Sequence, residues 1–75
     1  MSRYKERSYY NLNLVNGHNG FISDAVNYTV LNGYLTIYVN NNPVKCVRIY
    51  TFDKIHLCVT ETDNDVNVDL VYVSA

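Results

Sequence analysis

VNYTVLNGYLTIYV, residues 26–39, is the stretch that decides the fold of this chain. Asn32-Gly33 at its centre is the preferred pair for a two-residue type I′ turn, because both positions require a positive φ. Since side chains alternate between the two faces of a strand, this turn gives the hairpin an apolar face. That face carries Val26, Tyr28, Val30, Leu35, Ile37 and Val39. The other face carries Asn27, Thr29, Leu31, Tyr34, Thr36 and Tyr38.

Further turn signals divide the rest of the chain into short strands. The loops are predicted at residues 16–20, 40–43, 53–54 and 64–65, where Asn, Gly, Pro and Asp cluster. The strands between them are predicted at residues 8–15, 44–52, 55–62 and 66–73. Loops this short make neighbouring strands antiparallel. We therefore expect an all-β fold, a small antiparallel meander of five to six strands that forms a twisted sheet or a small barrel.

The chain length predicts one small domain covering residues 1–75. Residues 1–7 are predicted to form a flexible N-terminal arm, because chain ends are commonly mobile. Eleven Val and eight Tyr favour strands, and one Pro interrupts them little. The net charge of −1 disfavours binding driven by phosphate neutralisation. The start of the chain does not resemble a signal peptide, and no segment approaches the ~20 apolar residues of a membrane span. We expect a cytoplasmic protein with free thiols and no membrane association.

Arg48 does not fit the simple pattern. If Val39 lies opposite Val44, Arg48 points to the inner face of the sheet, where an unpaired guanidinium is too costly to bury. A bulge near Pro43 would shift the strand and turn Arg48 outward. Otherwise Arg48 lies at an open barrel end or pairs with a carboxylate such as Glu61.

The outer face of the last three predicted strands is also apolar, although a solvated outer face should be polar. Its members are Val47, Ile49, Cys58, Val71 and Val73. We expect either internal cover, from the first strand or from barrel closure, or a second subunit, and we assign these five residues to a homodimer interface. The same register turns Cys58 outward, whereas Cys46 points inward.

The sequence offers no catalytic set. The two His and two Cys lack the spacing of a zinc site, and residues 63–67 lack the Gly and Glu of a calcium loop. The sequence shows no arrangement of a nucleophile, a base and an orienting group that is typical of a catalytic site. We therefore expect a protein that is not an enzyme and that has no metal and no cofactor.

Tyrosine is the most suggestive functional residue. Tyr34 and Tyr38 project from the polar face of the hairpin beside Leu31 and Thr36, and tyrosine is favoured at protein interfaces because a rigid ring brings area and a polar tip. Together with Arg48, these residues form our predicted partner-binding site. The first hypothesis is a non-catalytic module that binds a larger host protein, such as a phage or mobile-element accessory protein that inhibits a host enzyme or defence complex.

Two alternatives come from other classes. The chain length and strand count resemble those of small oligonucleotide-binding barrels, although the basic, aromatic-rich strand motif of those proteins is absent. Single-stranded nucleic acid would contact Arg3, Lys5, Arg7 and Arg48 while tyrosines stack on bases. The other alternative is an oligomeric sponge for a small ligand such as a nucleotide, with the Gly17–Gly20 loop closing over a subunit interface.

Overall fold

The computed structural model describes residues 6–50, 54–62 and 64–73, and their fold is all-β and antiparallel. The strands of this part are β1 (Glu6–Asn11), β2 (Asn19–Phe21), β3 (Val26–Leu31), β4 (Tyr34–Val39), β5 (Asn42–Arg48), β6 (Lys54–Glu61) and β7 (Val66–Val73). They form two open sheets, one of three strands in the order β1-β6-β7 and one of four in the order β2-β3-β4-β5. The predicted fold class is confirmed, with the strands divided between two sheets. No helix occurs in the described ranges.

The central hairpin of the four-stranded sheet forms in the predicted register. Asn32 and Gly33 have φ values of 53° and 82°, as a type I′ turn requires. Val30 lies opposite Leu35, and the pairing continues to Val26 opposite Val39. The apolar face is the buried one, and its buried members are Val26, Tyr28, Val30, Leu35 and Ile37. Turn chemistry and burial therefore select the same register.

A second pair of Asn residues makes the turn into β5. Asn40 and Asn41 have φ values of 51° and 67°, and Asn tolerates this left-handed region better than other residues with a Cβ. The predicted turn over residues 40–43 is thus confined to its first two positions. β5 begins at Asn42 and accepts Pro43 because it is an edge strand, where a missing N–H costs no ladder bond.

The chain before the hairpin differs from the predicted strand at residues 8–15. β1 ends at Asn11, and Asn16-Gly17 make a turn in which the His18 N–H donates to the Val15 carbonyl at 3.0 Å. Residues 19–21 then pair with β3, although the sequence predicts a loop through Gly20. Three residues are too short for an alternating pattern to be read from sequence.

The three-stranded sheet keeps the predicted facing but not the predicted register. Val59 lies opposite Val68, two residues from its expected partner Leu70. The shift arises because residues 62–65 make a longer connection, in which the Thr62 N–H donates to the Asp65 carbonyl at 2.9 Å. Because side chains alternate between the two faces, a register shift of two residues leaves the same side chains on each face. Ile55, Leu57, Val59 and Val68 are accordingly buried on one face, and Cys58 is buried on the other.

The predicted hairpin between the fourth and fifth strands is wrong, because β5 and β6 belong to different sheets. Tyr50 therefore does not pair with Leu57, and it is exposed. Phe52 and Asp53, which were expected to complete that hairpin, lie outside the described residues.

Each sheet belongs to its own compact unit. One unit takes in residues 13–52 and holds the four-stranded sheet, and the other combines residues 1–12 with 53–75 around the three-stranded sheet. The expected flexible arm, residues 1–7, overlaps β1 at its last two residues, while residues 1–5 lie outside the described part.

Candidate functional site

The candidate site is the face of the four-stranded sheet that points away from its buried residues, called here the outer face. The strand registers place the following side chains on it: Asn19, Phe21, Asn27, Thr29, Leu31, Tyr34, Thr36, Tyr38, Cys46 and Arg48. Residues that lie opposite one another on neighbouring strands form a row across the sheet, and the outer face has three such rows. Neighbouring rows lie about 7 Å apart and neighbouring strands about 4.8 Å apart. The backbone of the outer face therefore spans roughly 14 Å in each direction, to which the side chains add.

Large apolar side chains are exposed at both ends of the outer face. Phe21 is 81% exposed at one end, and Leu31 and Tyr34 are 58% and 46% exposed at the other. Tyr38 is half-buried in the same row as Phe21, on the far side of Asn27. Large exposed apolar side chains bordered by polar ones are a feature of interaction sites.

Polar side chains separate the two apolar ends. Asn19, Thr29 and Thr36 form the middle row, which Cys46 completes on β5. The Thr36 hydroxyl donates a hydrogen bond to the Cys46 sulfur at 3.6 Å. The outer face thus alternates aromatic or aliphatic contact area with amide and hydroxyl groups, a composition common in protein interfaces.

A bulge in β5 decides the position of Arg48. The pairing shifts between Ile37, which lies opposite Lys45, and Tyr38, which lies opposite Pro43, so Val44 is the extra residue. The predicted bulge near Pro43 is confirmed, and the alternatives of a barrel end or a carboxylate partner are not needed. Beyond the bulge every side chain of β5 changes face.

The face change brings Arg48 opposite Tyr34 on the outer face, where it is exposed. Its guanidinium carbon lies 5.6 Å from the centre of the Tyr50 ring, within the range of a cation–π contact. The predicted partner-binding residues Leu31, Tyr34, Thr36, Tyr38 and Arg48 therefore share one face. The structure brings them together; what they bind stays a prediction.

The bulge also reverses the predicted orientation of one thiol, that of Cys46 on β5, and does not affect Cys58 on β6. Cys46 was expected to point inward, but it lies opposite Thr36 on the outer face and is exposed. Cys58 keeps its predicted place on the face opposite Leu57 and Val59, and it is buried there, with 7% of its surface exposed. It occupies the middle of β6, the central strand of its sheet, opposite Tyr9 on β1 and Asp69 on β7.

Phe21 is the large exposed apolar side chain of the outer face that the sequence did not predict. Phe21 reaches the outer face because β2 packs on the Tyr28 ring at Gly20. The approach is so close that a Cβ at position 20 would overlap the ring atoms. Tyr28 is 4% exposed, and its hydroxyl accepts a hydrogen bond from the Asn13 N–H at 3.0 Å. The His18 ring lies 5.7 Å from the Tyr28 ring. A buried tyrosine therefore fixes the strand that presents Phe21.

The five residues predicted to form a homodimer interface do not line up across one sheet. Val47 lies on β5 opposite Leu35, which places it on the inner side of the four-stranded sheet, and Ile49 follows β5. The remaining three, Cys58, Val71 and Val73, belong to the three-stranded sheet. The expected alignment fails because it assumed that β5 pairs with β6. A role of these residues in self-association stays a prediction.

The described residues hold no group of three or more His, Cys, Asp or Glu side chains placed to bind a metal ion. A shallow depression beside the Asn16-Gly17 turn is lined by Leu14, Asn16, Val30, Gly33, Ile49 and Tyr50. The Asn16 side-chain oxygen accepts the Asn32 N–H at 2.6 Å and so ties this turn to the hairpin turn. Within the described ranges, no helix has the length and apolar character needed to cross a membrane.

No family model, curated protein or solved structure matches the chain.

Proposed function

We propose that the protein is a non-catalytic binding module whose outer face docks onto a larger protein. The observation that carries the proposal is the exposure of Phe21, Leu31 and Tyr34 on a face whose framework is ordered by hairpins and by a buried tyrosine. A pre-ordered sheet presents these side chains without an entropic cost of ordering the backbone, which favours tight binding.

The chemistry of the face indicates a partner surface that is mainly apolar and carries hydrogen-bonding groups. Phe21 supplies apolar contact area and has no polar side-chain group that binding would strip of water. Tyr34 supplies contact area and a hydroxyl at the end of its ring. Asn27 and Thr29 supply amide and hydroxyl groups between the apolar ends. Among the described residues of this face, Arg48 is the one cation, so a carboxylate on the partner would complement it.

The size of the face indicates a compact contact in which a few residues carry the affinity. Protein interfaces of ordinary size bury about 800 Å² on each partner. A sheet face of about 14 Å on each side reaches that area only with its long side chains and its flanking turns included. The aromatic residues are accordingly expected to act as hot spots, each contributing about 2 kcal/mol or more.

Affinity capture from a bacterial lysate, with the bound proteins quantified by mass spectrometry, tests the assignment. The double substitution Tyr34→Ala with Tyr38→Ala should lose one dominant partner, because each truncated hot spot weakens binding roughly 30-fold. Tyr9→Ala is the matched control, since Tyr9 is similarly exposed but lies on β1 in the other sheet. Recovery that survives the double substitution, or that falls equally in the control, would refute the assigned face.

Single-stranded nucleic acid is a second candidate, because exposed rings on an open sheet are a surface on which bases stack. Phe21 and Tyr34 supply such rings, and Arg48 lies beside Tyr34. A titration against single-stranded DNA and RNA at low salt distinguishes this candidate. Nucleic-acid binding through this face predicts saturable binding at low salt and only a shallow fall in affinity as salt rises, because Arg48 is the one cation among the described residues of the face, whereas a protein-binding face predicts no titration.

A further inference from the structure

The outer edge of β7 is long, regular and open. β7 pairs with β6 on one side through eight uninterrupted residue pairs, and within the described part no strand pairs with its other side. Val71, Tyr72 and Val73 are all exposed, so the end of this edge faces solvent. A strand edge of this length, with unpaired backbone groups, can pair with another strand.

The hydrogen-bond pattern shows which backbone groups point to this open edge. The Thr62 N–H donates to the Asp65 carbonyl, and bonded and non-bonded pairs alternate along an antiparallel ladder. Counting from that bond, Asn67, Asp69 and Val71 bond inward to β6. Residues 66, 68, 70 and 72 therefore direct their N–H and C=O groups outward.

The other side of β6 supports this alternation. The Leu12 N–H donates to the Ile55 carbonyl, so Ile55 directs its backbone groups toward β1. Ile55 faces Tyr72 on β7, and that pair is consequently a non-bonded one. Two separate hydrogen bonds thus lead to the same assignment for Tyr72.

The edge strands of the other sheet carry features that discourage pairing. β5 contains Pro43, the bulge at Val44 and Lys45, and β2 has only three residues, of which Gly20 is one. Proline, bulges, lysines and short length are the ordinary means by which proteins protect a sheet edge. β7 has none of them, and Asp69 is its one charged residue.

We propose that β7 is a self-association edge that pairs antiparallel with β7 of a second copy of this chain. A two-fold axis perpendicular to the sheet relates such strands, which restricts the register to one centred on a residue. Centring on Asp69 would set two like charges face to face, which is destabilising. Centring on Leu70 removes that clash and places Asp69 opposite the partner's Val71.

The Leu70-centred register is self-complementary on both faces. On one face Val68 lies opposite the partner's Tyr72, an aromatic and β-branched pair of the kind that stabilises sheets. The outward-directed residues Val68, Leu70 and Tyr72 become the bonded pairs with the second copy. The two three-stranded sheets then form one continuous sheet, and the pairing closes as a dimer because β7 of each copy is used once.

Sedimentation equilibrium of the full chain, from 5 to about 200 µM, measures the association. The wild type should show a dimer in that range. Val71→Lys should tighten the dimer roughly 2- to 30-fold, because two symmetric Lys–Asp69 pairs form across the junction. Val71→Glu should weaken it by a similar factor. Asn67→Lys is the matched control, since it makes the same charge change but faces the partner's Val73 and should alter the dimer little.

A second variant tests the backbone bonds. Tyr72→Pro removes an outward N–H and no bond to β6, so the monomer should stay folded by circular dichroism while the dimer is lost. A wild type that remains monomeric at 200 µM would overturn the proposal. So would a dimer that Val71→Lys weakens, that Val71→Glu leaves unchanged, or that Asn67→Lys tightens as strongly as Val71→Lys does.

Discussion

Gly20→Ala tests the anchoring of β2 on the Tyr28 ring. An added Cβ would overlap the ring, which cannot move freely because it is buried and its hydroxyl is held by the Asn13 N–H at 3.0 Å. Overpacking of this kind costs about 1–3 kcal/mol. Replacing Gly by Ala restricts the unfolded chain and returns about 0.4–1 kcal/mol. Because the overlap involves several atoms of a buried side chain, the cost lies in the upper part of this range, and the expected net loss of stability is about 1–2.6 kcal/mol.

Urea unfolding followed by tyrosine fluorescence measures this loss, since the chain contains no tryptophan. Asn19→Ala is the control, because its side chain is exposed on the opposite face of β2 and should change stability by less than about 0.5 kcal/mol. Tyr28→Phe in the Gly20→Ala background should not restore stability, because the ring carbons nearest the new Cβ remain and the hydrogen bond from the Asn13 N–H is lost. A Gly20→Ala variant as stable as the wild type would refute the packing of β2 on Tyr28, and with it the reason for the position of Phe21.

Three further predictions concern the turn, the bulge and the thiols. Gly33→Ala should destabilise the fold by about 1–2 kcal/mol in urea unfolding, because φ is 82° and no neighbouring atom could compensate; an unchanged stability would contradict the type I′ turn. Deleting Val44 should remove the bulge but leave Arg48 opposite Tyr34, because Pro43 and Lys45 then face Tyr38 and Ile37 in a regular ladder; the variant should stay folded, and a loss of several kcal/mol would contradict the assignment of Val44 as the extra residue. A thiol reagent should modify the exposed Cys46 at once and the buried Cys58 only when the protein opens locally; equal rates of modification would contradict this difference in burial.

The parts of the fold that could be predicted from sequence are those with local causes. Asn32-Gly33 imposes a turn geometry that few other dipeptides allow, and the alternation of apolar residues around it selects the same register. The bulge was foreseeable for a related reason, since Arg48 otherwise enters the apolar face. Local chemistry thus predicts most of the outer face from the sequence alone.

The parts that could not be predicted depend on length and long-range pairing. The Asn64-Asp65 signal identified a turn, but a two-residue change in loop length shifts the register while leaving the facing pattern intact. β2 is three residues long, and no periodicity can be read from so short a segment. The choice of β1 as the neighbour of β6 is a non-local pairing, for which the sequence of β6 carries no local signal.

Phe21 illustrates how a site residue can escape sequence analysis. It follows a Gly-rich segment that is typical of a loop, so its face could not be assigned. Once β2 pairs with β3, the alternation of side chains places Phe21 beside Asn27 on the outer face. Its position, unlike that of Tyr34, is a consequence of tertiary packing on Tyr28.

Site-specific photo-crosslinking tests the central claim most directly. A benzophenone amino acid is introduced at Phe21 or at Tyr34, and in a separate variant at Tyr9, which is exposed on β1. If the outer face binds a partner protein, the first two variants should yield one crosslinked species of the same mass, and the Tyr9 variant should not. A partner that crosslinks through position 9 while positions 21 and 34 remain unreacted would contradict the account.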